Sequence, residues 1–295
     1  MSKSVSKPKF TLTFGDSAEN HVGMEKIGTM VKKGEGFSVE ELRVIQARFE
    51  AAGGVCELVH IEQDKTGPAA VLVMRGGVDV MLGAGAHAAL CEEQKALKKD
   101  KHALFRGVVK NKLARFNLCF AETGHDADYA KGMGTVVAYK DVPYTDSLKK
   151  GIETWIGPKG VGLQCEGNYY ETPDTQGIGF HGDSERRKVV AVRLGEHDED
   201  AALEMPIHFQ CFYYSEPVGE RVVIPLKGGD MYVMSEKAVG TDWKCRSMYT
   251  FRHATGKKYV VIKKKAEKAE KAEKSEKVSP IVAAFKAMGG GGGPS

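Results

Sequence analysis

Short alternating runs of apolar and polar residues dominate the chain from Arg115 onward, and helical spacing is confined to a few stretches. Near the N-terminus, Phe10-Thr11-Leu12-Thr13-Phe14 alternates and stops at Gly15-Asp16, which predicts a strand and a turn. Val55–His60 and Ala69–Met74 read as two strands of a meander, punctuated by Gly76-Gly77. Lys188–Leu194, Ile207–Cys211, Val222–Leu226, Met231–Met234 and Arg246–Arg252 are further short strands separated by glycine and charged turns. In Ile207–Cys211 the apolar residues share one face, so His208 is expected on the other.

The clearest helix opens at Ser38. Ser38 and Glu41 can form a capping box, and Phe37 and Leu42 a hydrophobic staple. Leu42, Ile45 and Phe49 then share a face, and Gly53-Gly54 ends the helix. Residues 85–103 and Ser147–Ile156 are predicted helices too. Many short, evenly spaced strands point to a double-sheet jelly roll. The expected class is α+β, mainly β: a double-stranded β-helix (jelly roll) core with flanking helices.

Three segments are expected: an α/β extension packed on the core (1–95), the jelly-roll domain (96–262) and a charged tail (263–295). The tail carries an Ala-Glu-Lys repeat over Lys265–Lys277 with no apolar face, the composition of a solvated or disordered segment. Within 279–288, Ile281, Ala284, Phe285 and Met288 share a helical face, a candidate short motif for a partner.

Composition adds bounds. A 42% hydrophobic fraction supplies a core, and a net charge of +4 permits an anionic partner without demanding one. Six cysteines without CxxC spacing argue for a reducing compartment rather than a disulfide scaffold. No apolar run approaches the roughly 18 residues of a membrane span. MSKSVSKPKF lacks the apolar core of a secretory signal, so the expected location is intracellular, cytoplasmic or nuclear. No glycine-rich phosphate-binding motif stands in a strand-turn-helix setting.

The chemistry concentrates in Gln164–Asp183, which ends in His181-Gly182-Asp183. An imidazole and a carboxylate separated by one residue can both reach one metal ion. With a second histidine from far downstream they form the facial triad that holds non-haem Fe(II) and leaves coordination positions open. Upstream stand Asn168 and Tyr170, and Glu185 follows closely. Gly229-Asp230 with Met231–Met234, then Arg246, Met248, Thr250 and Arg252, come further on.

On these residues, covering roughly 115–256, the chain resembles the AlkB-like 2-oxoglutarate/Fe(II)-dependent dioxygenases. The resemblance implies an oxidoreductase that hydroxylates a C–H bond, with a methyl group on a nucleic-acid base as the favoured substrate and nucleic acid as a partner. Protein or small-molecule substrates stay open. It implies Fe(II) on His181 and Asp183, and 2-oxoglutarate held by Asn168, Tyr170, Arg246 and Arg252. Glu185 would orient the ligands, Tyr169, Tyr213, Tyr214 and Trp243 are candidate walls for a base, and Arg186-Arg187-Lys188 could meet phosphate.

Two positions depart from the family's pattern. Met248 stands where it has asparagine, and the place of its second metal histidine, counted from Asp230, falls on Trp243-Lys244. Three readings follow. His253, the sole histidine after Gly229-Asp230, completes the triad, which requires a different register because neighbours on a strand face opposite ways. Lys257 or Lys258 could then hold 2-oxoglutarate. Alternatively Asp242 substitutes as an oxygen ligand, or the site binds iron weakly or not at all and the protein is a jelly-roll binding module that has lost catalysis.

Overall fold

The structure is a computed structural model and describes residues 7–195 and 205–262. The strands of the first half are β1 (Lys9–Gly15), β2 (Ser17–Glu19), β3 (Lys26–Gly28), β4 (Val55–His60), β5 (Ala70–Arg75), β6 (His102–Phe105), β7 (Val108–Asn111) and β8 (Phe116–Ala121). Those of the second half are β9 (Val136–Ala138), β10 (Gln164–Tyr170), β11 (Ile178–His181), β12 (Val189–Leu194), β13 (Ile207–Tyr213), β14 (Glu216–Ile224), β15 (Met231–Met234) and β16 (Thr250–Thr255). The helices are α1 (Val39–Ala51), α2 (Gly77–Leu82), α3 (Ala86–Ala96), α4 (Pro143–Ile156) and the single turn α5 (Glu236–Val239).

Two sheets carry the fold, which is mainly β. The larger has eight strands in the order β4-β5-β15-β12-β1-β10-β8-β9, and the smaller has four in the order β11-β16-β13-β14. Among the described residues, only β8 and β9 run parallel. The alternation read in the sequence sorts side chains between the two faces of the large sheet. Phe10, Leu12, Phe14, Val190, Val192 and Leu194 pack against the helices, joined by Leu42, Ile45 and Phe49 of α1 and Leu148 and Ile152 of α4. Val189, Ala191, Val71 and Tyr232 face the other way and meet Ile207, Phe209 and Phe251 of the small sheet. Helices, large sheet and small sheet therefore form three layers with two apolar seams.

The α1 terminus matches its sequence signal. The Ser38 hydroxyl accepts from the Glu41 amide at 3.2 Å, and the Glu41 carboxylate accepts from the Ser38 amide at 2.8 Å. Gly53, at φ +83°, takes the left-handed conformation that stops the helix.

Several expectations change. Strands drawn from 1–95 are built into the large sheet rather than packed on it: β1 pairs with β10 on one side and β12 on the other, and Met1–Val260 clusters as one unit. The boundary at 95/96 has no counterpart there. The predicted helix over 85–103 stops at Ala96, where Leu97 is already extended, and His102 begins the β6–β7 hairpin. Gly76-Gly77 opens α2 rather than a turn between strands. Arg246–Arg252 is not one strand, since β16 begins at Thr250. The repeat of 265–277 and the partner motif of 279–288 lie outside the described residues. No described helix is long and apolar enough to cross a membrane.

Because β1 fills the middle of the large sheet, its core side chains should matter more than any surface apolar residue. Leu12→Ala, at a fully buried position, should cost about 2–5 kcal/mol, whereas Leu113→Ala, 81% exposed, should stay within about 0.5 kcal/mol. Urea denaturation followed by circular dichroism measures both, and equal losses would show that β1 is peripheral.

Candidate metal centre

β11 and β16 pair antiparallel, with His181 opposite His253. Both imidazoles face the seam between the sheets, and their ring centroids lie 4.5 Å apart. Asp183, just past the end of β11, brings its Oδ1 to 3.4 Å from His253 Nε2 and 3.6 Å from His181 Nε2. One ligand atom from each of the three residues falls within 4.8 Å of the others, close enough to hold one metal ion. The register that admits His253 is therefore the one formed: His253 points in, and its neighbour Arg252 points out.

The intervening glycine has a steric reason. A Cβ on Gly182 would sit 1.9 Å from the Gly240 carbonyl oxygen, and Gly240 itself, at φ +72°, leaves no room beside the Phe251 carbonyl. This close crossing lets the Asp183 amide donate to the Val239 carbonyl at 3.1 Å, which turns the carboxylate toward the histidines. The turn beyond is held from three further sides. Asp16, at the end of β1, accepts from the amides of Arg187 and Lys188 at 2.8 Å each. The Thr241 hydroxyl donates to the Arg186 carbonyl, and Trp243 Nε1 to the Ser184 hydroxyl.

The protonation states suit a metal. Burial, with the neighbouring His253, pushes the His181 pKa down to about 3, so the ring is neutral. Its Nδ1 lies 2.8 Å from the Gly179 carbonyl, which can only accept; the proton is therefore on Nδ1, and the Nε2 lone pair is free for a metal. Burial alone would raise the Asp183 pKa, but the hydrogen bond to His253 and the charge of Arg186 hold the carboxyl below its usual range. Asp183 is ionised. The donor set, two imidazoles and a carboxylate, fits a divalent transition metal.

Behind the triad lies a buried charge network, of which the sequence reading named Glu185 as an orienting residue but not Glu166 or the pairing role of Arg186. Arg186, 3% exposed, pairs with Glu166 on β10, with Glu185 at 2.7 Å, and with Asp183 at 3.6 Å. Burial opposes the Arg186 charge, and the three carboxylates reverse that and hold it well above the ordinary value. The network orients Asp183 from behind. Glu166 had a signal: it shares strand parity with Asn168 and Tyr170, the residues already suspected.

The seam opens into a cavity of about 720 Å³ lined by the triad and by residues that include Asn168, Tyr170, Arg115, Arg193, Tyr232 and Trp243. Asn168 Oδ1 accepts from Asn117 at 2.9 Å and from Arg115 Nε at 2.5 Å. Arg193 projects from the inner face of β12, 2% exposed, and neither its Nε nor its Nη1 has a hydrogen-bond partner. One charged residue in the otherwise apolar run Val189–Leu194 was its sequence signal.

Other expected site residues lie elsewhere. Arg246 is exposed in the turn before β16, and Arg252 stacks on Phe212 and Trp243. Neither lines the cavity. Asp242 is tied to Lys237 at 2.7 Å, outside the ligand group. Lys257 pairs with Asp174 at the surface, and Lys258 is exposed. Tyr169 faces the helices and donates to Gln94, while Tyr213 and Tyr214 lie off the cavity, so Trp243 is the expected wall residue that lines it. Arg186 and Arg187 are engaged by carboxylates rather than free for phosphate.

Fold and site together define a mainly β protein with a buried two-histidine, one-carboxylate group able to hold a metal ion. No protein-family model matches the chain. It is 40% identical over 259 residues to the uncharacterized protein R156 of Acanthamoeba polyphaga mimivirus, an alignment covering 85% of this chain and 96% of that protein. The chain belongs to the same family as that viral protein.

Gly182 gives a sharp test of the site's geometry. Gly182→Ala should force Asp183 out of place and weaken Mn(II) binding at least about tenfold, a loss of about 1.4 kcal/mol. Gly179→Ala, where the nearest atom to a new Cβ lies 3.8 Å away, should bind like the parent. Isothermal titration with Mn(II) reads both, and an unaffected Gly182→Ala would mean the crossing does not position the ligand.

Proposed function

We propose that the protein is a 2-oxoglutarate- and Fe(II)-dependent oxygenase that hydroxylates a C–H bond. The observation that carries this reading is the coincidence, in one cavity, of the His181-Asp183-His253 donor set with the buried guanidinium of Arg193, whose Nε and Nη1 have no hydrogen-bond partner. Three protein ligands on one side of a metal are the non-haem Fe(II) pattern. A guanidinium buried without an anion is costly unless a carboxylate joins it, and its fork matches a carboxylate by two parallel hydrogen bonds.

The strand order supports the double-stranded β-helix that such enzymes use. From β10 to β13 the chain alternates between the large and small sheets, and β15 and β16 alternate again. β1 occupies the place between β10 and β12 where a further strand after β16 would lie.

When bound, Fe(II) with 2-oxoglutarate would supply the oxidising chemistry. The chain's own residues do the positioning. His181, held by Gly179, presents a neutral nitrogen, His253 adds the second imidazole, and Asp183 presents a charge oriented by Arg186. Arg193 replaces Arg246 and Arg252 as the anchor for the cosubstrate's distal carboxylate. Tyr170 and Tyr232 stand near it, and Asn168 is locked by Asn117 and Arg115. A non-catalytic binding module rested on a missing second histidine; the position of His253 favours the oxygenase.

Two experiments test the reading. His181→Ala, Asp183→Ala and His253→Ala should each remove the rise in melting temperature that saturating Mn(II) gives, a stabilisation of about 2.7 kcal/mol at a hundredfold excess over Kd. Asp242→Ala should keep it. Under anaerobic conditions, Fe(II) and 2-oxoglutarate together should give a metal-to-ligand charge-transfer band. Arg193→Gln should raise the 2-oxoglutarate concentration it needs about 10- to 100-fold, the loss of one charge-assisted contact, while Arg246→Ala leaves it unchanged. A parent protein that shows no band at any concentration refutes the proposal.

A further inference from the structure

A line of buried polar side chains runs from the root of the β6–β7 hairpin to the candidate metal centre. Asp100 stands just before β6 and Lys112 just after β7, and the Lys112 amide donates to the Lys101 carbonyl at 2.8 Å, closing the root. Lys112 Nζ donates to Oδ1 of Asn20 at 2.6 Å and to Oδ1 of Asn117 at 3.0 Å. Asn20 Nδ2 donates in turn to Asp100 at 2.8 Å, and Asp100 also accepts from the Tyr129 hydroxyl and the Thr135 amide. On the other side, Asn117 Nδ2 donates to Asn168 Oδ1 at 2.9 Å and reaches Glu166 at 3.4 Å, while Asn168 Nδ2 donates to Glu166 at 3.1 Å. Glu166 pairs with Arg186, whose Nε lies 3.6 Å from Asp183.

Two cations fix the direction of these bonds. Ammonium and guanidinium groups only donate, so Asn117 turns its oxygen to Lys112, and Asn168 turns its oxygen to Arg115. The nitrogen of Asn117 is then left for Asn168 and Glu166, and that of Asn168 for Glu166. Glu166 receives both amides on one oxygen and Arg186 on the other. Charges alternate along the line, from Asp100 through Lys112, Glu166 and Arg186 to Asp183, and all of these residues are buried. Burial pulls the Lys112 pKa down to about 8 against the charge of Asp100, so the ammonium persists at neutral pH. Gly134 makes room for the line, because a Cβ there would fall 2.4 Å from Asn20 Cγ. Without Lys112, two buried amide oxygens lose a donor, and the amides are free to flip.

We propose that Lys112 is a positioning residue of the metal centre, acting on Asp183 through Asn117, Glu166 and Arg186, so that the hairpin root and the metal ligand are ordered together. The same line holds the cavity mouth, because Asn20 begins the loop whose His21, Val22 and Met24 line the cavity. Coupling between the two ends is reciprocal: a fixed root tightens the metal, and the metal tightens the root by the same factor. Lys101, beside Asp100, supplies the contrast. Its side chain is exposed, lies 3.6 Å from Glu171 and sits over the Phe116 ring, outside the line. The inference rests on the metal centre of the oxygenase reading and needs no cosubstrate.

The test is isothermal titration of the full-length protein with Mn(II) at about pH 7, joined to hydrogen exchange read by mass spectrometry over the β6–β7 hairpin. Lys112→Met and Asn117→Leu should each weaken Mn(II) binding about three- to tenfold, less than the loss of about 10- to 100-fold expected for a group that touches a metal ligand directly. The double variant should lose no more than the weaker-binding single, because both changes cut one line. Lys101→Met should bind as the parent does. In the parent, saturating Mn(II) should slow exchange of the hairpin amides at least about threefold, and Asn117→Leu, saturated likewise, should lose this slowing. The parent's own response decides the matter even where a variant fails to fold. A parent that binds no Mn(II) overturns the metal centre and this coupling with it. Where the parent binds, the coupling alone is overturned by hairpin exchange that does not change, by single variants that both bind as the parent does, or by losses that add in the double variant.

Discussion

The antiparallel pairing of β11 with β16 is the constraint on which the rest depends. It sets His181 opposite His253, and with a side-chain period of two a slip of one residue would turn His253 outward and Arg252 inward. Both faces of β16 have distinct work. His253, with Phe251 and Thr255, faces the seam, and Arg252 faces out among Phe212 and Trp243. The apolar seam enforces this register, because burying Arg252 in place of His253 would put a guanidinium among Phe209 and Phe251.

Around that pairing the chain spends its charged residues in two ways. Inside, Glu166, Glu185, Asp183 and Arg186 compensate one another, a network whose members would each be costly alone. By contrast Arg193 in the cavity forms no ion pair with a carboxylate among the described residues. Balanced charge holds the candidate metal ligands in place, whereas a buried charge left unbalanced is costly. The same criterion distinguishes Arg186, read from sequence as a phosphate contact, from Arg193, which that reading passed over.

Local structure was written in the sequence wherever near neighbours decide it. The Ser38–Glu41 capping box, the alternation of Phe10–Phe14 and the limits of Val55–His60 all appear as read, since they depend on residues a few positions apart. His181 and Asp183 were legible for the same reason, as two ligands carried by one short segment. Met231–Met234 matches its strand as well.

What the sequence could not carry is everything that depends on which strands become neighbours. That β1 would sit between β10 and β12 follows from closure of the large sheet, so a segment read as an extension is its centre. Arg246 and Arg252 share the chain spacing of a strand, but the turn before Thr250 breaks that parity, and only the pairing with β11 decides which of Arg252 and His253 enters the seam. Chain order determined the candidates for the metal; strand register, set by burial of apolar side chains between two sheets, decided among them.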